Sequence, residues 1–197
     1  QDNVLIAGST WPVDEPLLLA ALAEYPQLNM IVAPHEVNET SLNRLEQRFI
    51  KYDIIRLSHL KVGANSRARV ILIDCIGLLS RIYRLGHLAY VGGGFGSGIH
   101  NTLEPAAYGI PIAIGPHYTH FQEAHDLIAI GVLTEVSGKR DFLDFLKLYT
   151  KSIDSVNWSA QRNDVARSAR RYFSEHTGAT DRIMAHILTK FSPHEGA

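Results

Sequence analysis

Five glycines fall within seven positions in Gly92-Gly93-Gly94-Phe95-Gly96-Ser97-Gly98, and Ile99-His100-Asn101 follow directly. Glycine loses more backbone entropy on folding than any other residue, so a turn that merely reverses the chain has little use for so many. Bare backbone can approach a ligand closely, and N–H groups at a strand-to-helix turn suit an anion such as phosphate. Two familiar phosphate loops are excluded: no Gly-Lys-Ser/Thr follows, and the spacing is not that of a dinucleotide fingerprint. The loop runs into Asn101-Thr102-Leu103-Glu104-Pro105-Ala106-Ala107, a helix start with a carboxylate in its first turn. Glu104 either caps that helix or accepts both hydroxyls of a ribose.

Gly8-Ser9-Thr10 follows the first apolar run. It reads either as a capped turn or as small residues and hydroxyls placed against an anion at a helix entrance. A third polar loop, Gly115-Pro116-His117-Tyr118-Thr119-His120, opens another helix. His117, His120 and His125 lack a pattern of Asp, Glu or Cys partners, and the chain has no Asp-x-Asp, so a metal-free site is expected. Cys75, with no evident base, reads as a small packed residue rather than a nucleophile. Arg167, Arg170 and Arg171 read as a solvated helix face, with anionic head groups or another domain as the alternative. Trp11 and Trp158 could pack an interface, although aromatic packing needs no functional reason.

Short apolar runs must carry these loops. Residues 4–7, 30–33, 70–73, 88–91, 112–114 and 132–136 read as strands, with a smaller run at 54–57. Helices are expected from Asp14 through Leu22, and over 39–49, 77–84, 103–108 and 121–130. Strands apolar on both faces and separated by helices form a parallel sheet covered on both sides, and right-handed crossovers make it a Rossmann-like doubly wound α/β domain. Ligands in such sheets sit beyond the carboxyl ends of the strands, where all three loops lie. After Gly138 the pattern is helical only, with extra C-terminal helices over 141–153, 157–173 and 179–191. The domain is therefore expected over 1–191, and the tail 192–197 is expected to be disordered.

Composition narrows the partners. With 19 Lys plus Arg against 20 Asp plus Glu, the net charge of -1 gives no field to gather polyanions, and nucleic acid is disfavoured. The single cysteine cannot form an internal disulfide. No apolar run approaches the roughly 20 residues that span a bilayer. The chain opens Gln1-Asp2-Asn3 without Met and enters a strand at once, which reads as a piece of a longer protein.

Taken in order, Ala7-Gly8-Ser9-Thr10-Trp11-Pro12, Ala33-Pro34-His35-Glu36, Asp74-Cys75-Ile76-Gly77, Gly98-Ile99-His100-Asn101-Thr102-Leu103-Glu104-Pro105-Ala106, and Gly115-Pro116 with Phe121 and Glu123 resemble the 3-deoxy-D-manno-octulosonic acid (Kdo) transferases. The resemblance runs over about residues 4 to 190, and its most specific element is His-Asn-x-Leu-Glu-Pro-Ala. It implies the C-terminal half of a GT-B fold, which holds the sugar nucleotide CMP-Kdo and needs no cofactor. Another domain, absent from this chain, would supply the lipid A precursor site and the catalytic carboxylate, at the cytoplasmic side of the bacterial inner membrane. This half alone is then expected to be inactive and to contain no catalytic residue. By the same resemblance Ser9, Thr10, His35, Glu36, Gly77, Gly98, His100, Asn101 and Glu104 form the donor site, with His100, Asn101 and Gly98 about the phosphate and Glu104 on the ribose. Four residues depart from the family pattern. His35-Glu36 stands where Arg-His is common, Leu78 where Glu is common, and Ile99 where a glycine is common. A GT-B relative using a UDP-sugar (transferase or epimerase) and a non-catalytic nucleotide-binding module stay open as alternatives.

Overall fold

The computed structural model describes residues 3–61, 68–151 and 157–191. Seven parallel strands form one sheet in the order β3-β4-β2-β1-β5-β6-β7. They are β1 (Val4–Thr10), β2 (Asn29–Pro34), β3 (Ile54–Arg56), β4 (Val70–Leu72), β5 (Leu88–Val91), β6 (Ile112–Ile114) and β7 (Leu133–Glu135). Leu5, Ile6, Ala7, Leu88, Ala89 and Tyr90 are all fully buried, so successive residues that point to opposite faces are covered on both. The weak run at 54–57 is the edge strand β3, and the doubly wound reading holds.

Helices α1 (Glu15–Glu24), α2 (Glu39–Phe49), α3 (Leu79–Ile82), α4 (Leu103–Ala106) and α5 (Gln122–Ala129) connect the strands. Two of them are shorter than the sequence suggests. α3 and α4 have four residues each, and α3 passes into a 3-10 turn at Tyr83–Leu85. Pro16 opens α1, where its missing N–H costs nothing. Asn38 caps α2 by accepting the Ser41 N–H at 2.9 Å. Buried Glu15 draws Arg44 and Arg48 of α2 against α1.

Three helices follow the sheet: α6 (Lys139–Tyr149), α7 (Trp158–His176) and α8 (Ala179–Phe191). α6 lies on α1, and α7 on α6. Phe142 is fully buried and meets the edge of Tyr90 at 5.4 Å between centroids. Full burial of a ring of this size stabilises the fold by about 1.5–3 kcal/mol. Asn3 bonds Lys151 through both the main-chain N–H and C=O at 2.8 Å, which ties the start of β1 to the end of α6. The expected helix end at Ile153 and the expected disordered tail 192–197 lie outside the described residues. Arg167 pairs with Asp164 and exposed Arg171 with Glu175, as a solvated face requires. Trp158 stacks under the Arg162 guanidinium at 4.8 Å. Cys75 is exposed, which corrects its reading as a packed residue.

Candidate functional site

Successive strands step outward from β1 to β2 and then from β5 to β7, so the strand order reverses between β1 and β5. A crevice at this point is where doubly wound sheets hold ligands. Two of the stretches singled out by sequence lie here. Gly8-Ser9-Thr10 is not a turn after β1 but its last three residues, and the register slips between Gly8 and Thr10 around Ser9, whose φ is 53°. Thr10 is buried, whereas Ser9 keeps partial exposure.

The glycines of the loop after β5 have structural reasons that the sequence did not reveal. A Cβ at Gly92 would lie 2.3 Å from the Ser9 carbonyl oxygen, and one at Gly94 would lie 2.6 Å from the Gly115 nitrogen. The loop is threaded between the ends of β1 and β6 with backbone against backbone. Gly93 and Gly98 have φ of 91° and 132°, which disfavour any side chain. The loop bonds itself through Gly96 N–H to Gly93 C=O at 2.8 Å and Gly98 N–H to the same oxygen at 3.2 Å. It is also laced to the loop after β6 by His117 N–H to Gly94 C=O at 2.9 Å and Ile99 N–H to His117 C=O at 3.2 Å. The His117 ring adds Nδ1–H to the Gly96 carbonyl at 2.6 Å. Among the described residues the N–H groups of Gly94, Phe95 and Ser97 have no protein acceptor, so the loop retains donors for an anion.

Asp14 holds this arrangement together. It is fully buried and accepts the Tyr90 hydroxyl at 2.6 Å, the Trp11 N–H at 2.8 Å and the Gly93 N–H at 3.4 Å. Burial, then the Asp14 charge and the hydrogen bond itself, pushes the Tyr90 hydroxyl far above its ordinary pKa, so Tyr90 stays a donor. Asp14 stands at the N-cap position of α1, but its side chain makes no cap bond and serves the two loops instead.

Three rings gather above it. His35, just past β2, stacks on Trp11 and on His100 at 4.4 Å from each. The Trp11 and His100 planes differ by 12°, and the indole N–H donates to His100 Nε2 at 3.1 Å. Burial lowers the His100 pKa, the neighbouring His35 lowers it further, and Asp14 opposes them. An apolar hollow of about 300 Å³ lined by Trp11, Pro12, Val13, Gly93, Gly96 and Ser97 opens beside the stack.

At the mouth of α4, Asn101 performs the capping. Its Oδ1 accepts the N–H groups of Leu103 at 2.9 Å and Glu104 at 3.3 Å, and its Nδ2 donates to Glu104 Oε1 at 3.3 Å. Glu104 is thereby released from the cap role that the sequence left open. Behind it lies the buried Tyr83 hydroxyl, which occupies the space that a Cβ at Gly8 would need, 2.1 Å away. Burial first and the Glu104 charge second raise the Tyr83 pKa.

The structure therefore brings Ser9, Thr10, His35, Gly98, His100, Asn101 and Glu104 to one rim. Glu36 is exposed and lines a separate hollow of about 80 Å³ with Thr10 and Arg44. Gly77, with φ of 87°, follows β4, which lies two strands from β1, and nothing approaches within 4 Å of its Cβ position. Among the described residues no three His, Cys, Asp or Glu side chains gather as a cation would require.

No family model matches the chain. It is 27% identical over 188 residues to the 3-deoxy-D-manno-octulosonic acid transferase of Haemophilus influenzae, an alignment of 92% of this chain and 42% of the relative. Against the same enzyme of Aquifex aeolicus the identity is 32% over 121 residues, 59% of this chain and 32% of the relative. This chain is a relative of the Kdo transferases. It spans less than half the length of the curated Kdo transferases it matches. In fold it superposes on the C-terminal CMP-Kdo binding domain of WaaA from Acinetobacter baumannii with a TM-score of 0.66, at 22% identity, covering 85% of this chain and 88% of that one. The α/β sheet with its added helices is the C-terminal half of a GT-B fold, as the resemblance to Kdo transferases implies.

Proposed function

We propose that this chain is the donor-binding part of a Kdo transferase, holding CMP-Kdo while Kdo passes to a hydroxyl of a lipid A precursor. The acceptor oxygen bonds to the anomeric carbon, the bond from that carbon to the phosphate oxygen breaks, and CMP leaves with the electron pair. The acceptor proton goes to a base on a part of the enzyme outside this chain. The observation that carries this reading is the convergence of residues 92–104 with the end of β1 at the switch point of the sheet.

Each part of the rim has a task. The unengaged N–H groups of the Gly-rich loop and the partly exposed Ser9 face negative charge that grows on the departing phosphate, which requires neither a metal nor a cofactor. His100 and Asn101 flank that phosphate beside Gly98, and Glu104 accepts the ribose hydroxyls. Thr10, being buried, supports the rim rather than reaching the ligand. His35 offers an aromatic face at the cleft. Among the described residues no helix is long and apolar enough to cross a membrane. The working place of the whole enzyme, with its lipid acceptor, is the cytoplasmic face of the bacterial inner membrane.

Calorimetry with CMP and UMP tests the donor assignment. CMP is expected to bind and UMP to bind more weakly. Absence of CMP binding overturns the reading, and a preference for UMP moves the chain to the UDP-sugar users.

A further inference from the structure

Indole carries one N–H and no acceptor, so a hydrogen bond between Trp11 and a neutral imidazole fixes which ring nitrogen holds the proton. Here the bond runs from Trp11 Nε1–H to His100 Nε2 at 3.1 Å. Nε2 must accept, and the proton of the neutral ring must sit on Nδ1. No protein acceptor of Nδ1 is present among the described residues, so that N–H is left for a ligand. We infer that Trp11 is a positioning residue that locks His100 as the neutral Nδ1–H tautomer, presenting the cleft with one hydrogen-bond donor and no charge.

The surroundings are built for that state. Trp11 is held from both sides by Asp14: its N–H donates to the carboxylate at 2.8 Å, and its C=O accepts the Asp14 N–H at 2.9 Å. The indole is therefore placed by a buried group anchored to the sheet through Tyr90. Gly93 clears the edge of the imidazole, since a Cβ there would lie 3.2 Å from Cδ2 and 3.3 Å from Nε2 of His100. His35 covers both rings at 4.4 Å and resists any tilt that would open the bond. Protonation at Nε2 would set two donors against each other and put a cation under His35. The titratable groups acting on His100 are His35 at the end of β2 and Asp14 before α1, and burial together with His35 outweighs Asp14 in lowering its pKa. A doubly protonated, cationic His100, the usual expectation for a phosphate-flanking histidine, is disfavoured here.

The consequence for the nucleotide rests on the donor-site reading above; the tautomer does not. A neutral Nδ1–H binds a phosphate oxygen directionally without neutralising it. The ligand's charge is then balanced by the backbone donors of the Gly-rich loop.

The test is a long-range proton–nitrogen correlation spectrum of the histidine rings in the full chain without nucleotide, with His100 assigned by the signals lost in His100→Ala. At pH 7.5 Nε2 is expected to show the shift of an acceptor nitrogen and Nδ1 that of a protonated one. Trp11→Phe keeps a ring under His35 but removes the N–H; His100 should then shift toward the Nε2–H form and titrate nearer its ordinary pKa. CMP affinity should fall about 2- to 12-fold, the worth of one hydrogen bond of about 0.5–1.5 kcal/mol. A protonated Nε2 in the wild-type chain, or ring nitrogens unchanged in Trp11→Phe, overturns the inference. If the tautomer shifts in Trp11→Phe and CMP affinity does not, the lock stands and His100 leaves the nucleotide site.

Discussion

Glu104→Gln separates a ligand-binding carboxylate from a structural one, because the structure assigns the cap to its neighbour. Asn101 Oδ1 already bonds the N–H groups of Leu103 and Glu104, and among the described residues the Glu104 side chain takes one exposed bond, from Asn101 Nδ2 at 3.3 Å. Gln can accept that bond equally well. What the protein loses is a negative charge in the first turn of a helix, about 0.3–1 kcal/mol. For a chain of this size such a loss lowers the thermal midpoint by no more than about 4 °C. The ligand loses more. A carboxylate that accepts from two ribose hydroxyls makes charge-assisted bonds worth about 1.5–3 kcal/mol each, and an amide can keep only one acceptor. Loss of about 1.5–3 kcal/mol weakens CMP binding about 12- to 150-fold. Calorimetry with CMP and a thermal melt of the same sample give both quantities. Unchanged affinity removes Glu104 from the site, and a midpoint lowered by 10 °C or more refutes the assignment of the cap to Asn101.

Asp14→Asn should lower stability in urea unfolding by about 2–4 kcal/mol, because an amide cannot accept from Tyr90, Trp11 and Gly93 together in a fully buried position. Gly94→Ala should unfold or severely destabilise the domain, whereas Gly96→Ala, whose Cβ would meet nothing closer than 3.6 Å, should melt within about 2 °C of wild type. His100 has a lowered folded pKa, so above the unfolded value near 6.5 it contributes no pH dependence; as pH falls below that value the unfolded chain takes up the proton first, and stability declines until the folded pKa is passed. His100→Gln should flatten the stability profile in that window, as measured by urea midpoints at a series of pH values. CMP affinity should be the same in EDTA as in magnesium, as calorimetry will show.

The sheet was legible because its strands are apolar on both faces, and even the short run at 54–57 fell in place as an edge. The loops after β5 and β6 were legible too, since Gly-rich and polar residues interrupt the apolar runs there, whereas Gly8-Ser9-Thr10 proved to be the end of β1. What failed were relations between distant residues. Trp11 and His100 are 89 positions apart, and nothing local to either signals an indole donating to an imidazole. Asp14 was legible only as the start of a helix, because its partners Tyr90 and Gly93 lie 76 and 79 positions away. The glycines of residues 92–98 were read as a wish to meet a ligand, but Gly92 and Gly94 are glycine because neighbouring backbone leaves no room. Exposure of Cys75 and the short span of α3 and α4 depend on tertiary packing, which propensity does not encode.

The crossing of Gly94 over Gly115 limits how such a site can diversify. Where two main chains touch without side chains between them, a Cβ at Gly94 would lie 2.6 Å from the Gly115 nitrogen and one at Gly115 2.5 Å from the Gly94 carbonyl carbon, so the two loops form a single floor that point substitution breaks. On the proposed donor-site reading, new donor preferences arise from the walls. The side chains that line those walls come from the ends of β1 and β2, where Trp11 and His35 stand, and from Ser97 at the lip of the apolar hollow. A laboratory search for altered sugar-nucleotide selectivity would do best to randomise those positions and leave the glycines untouched.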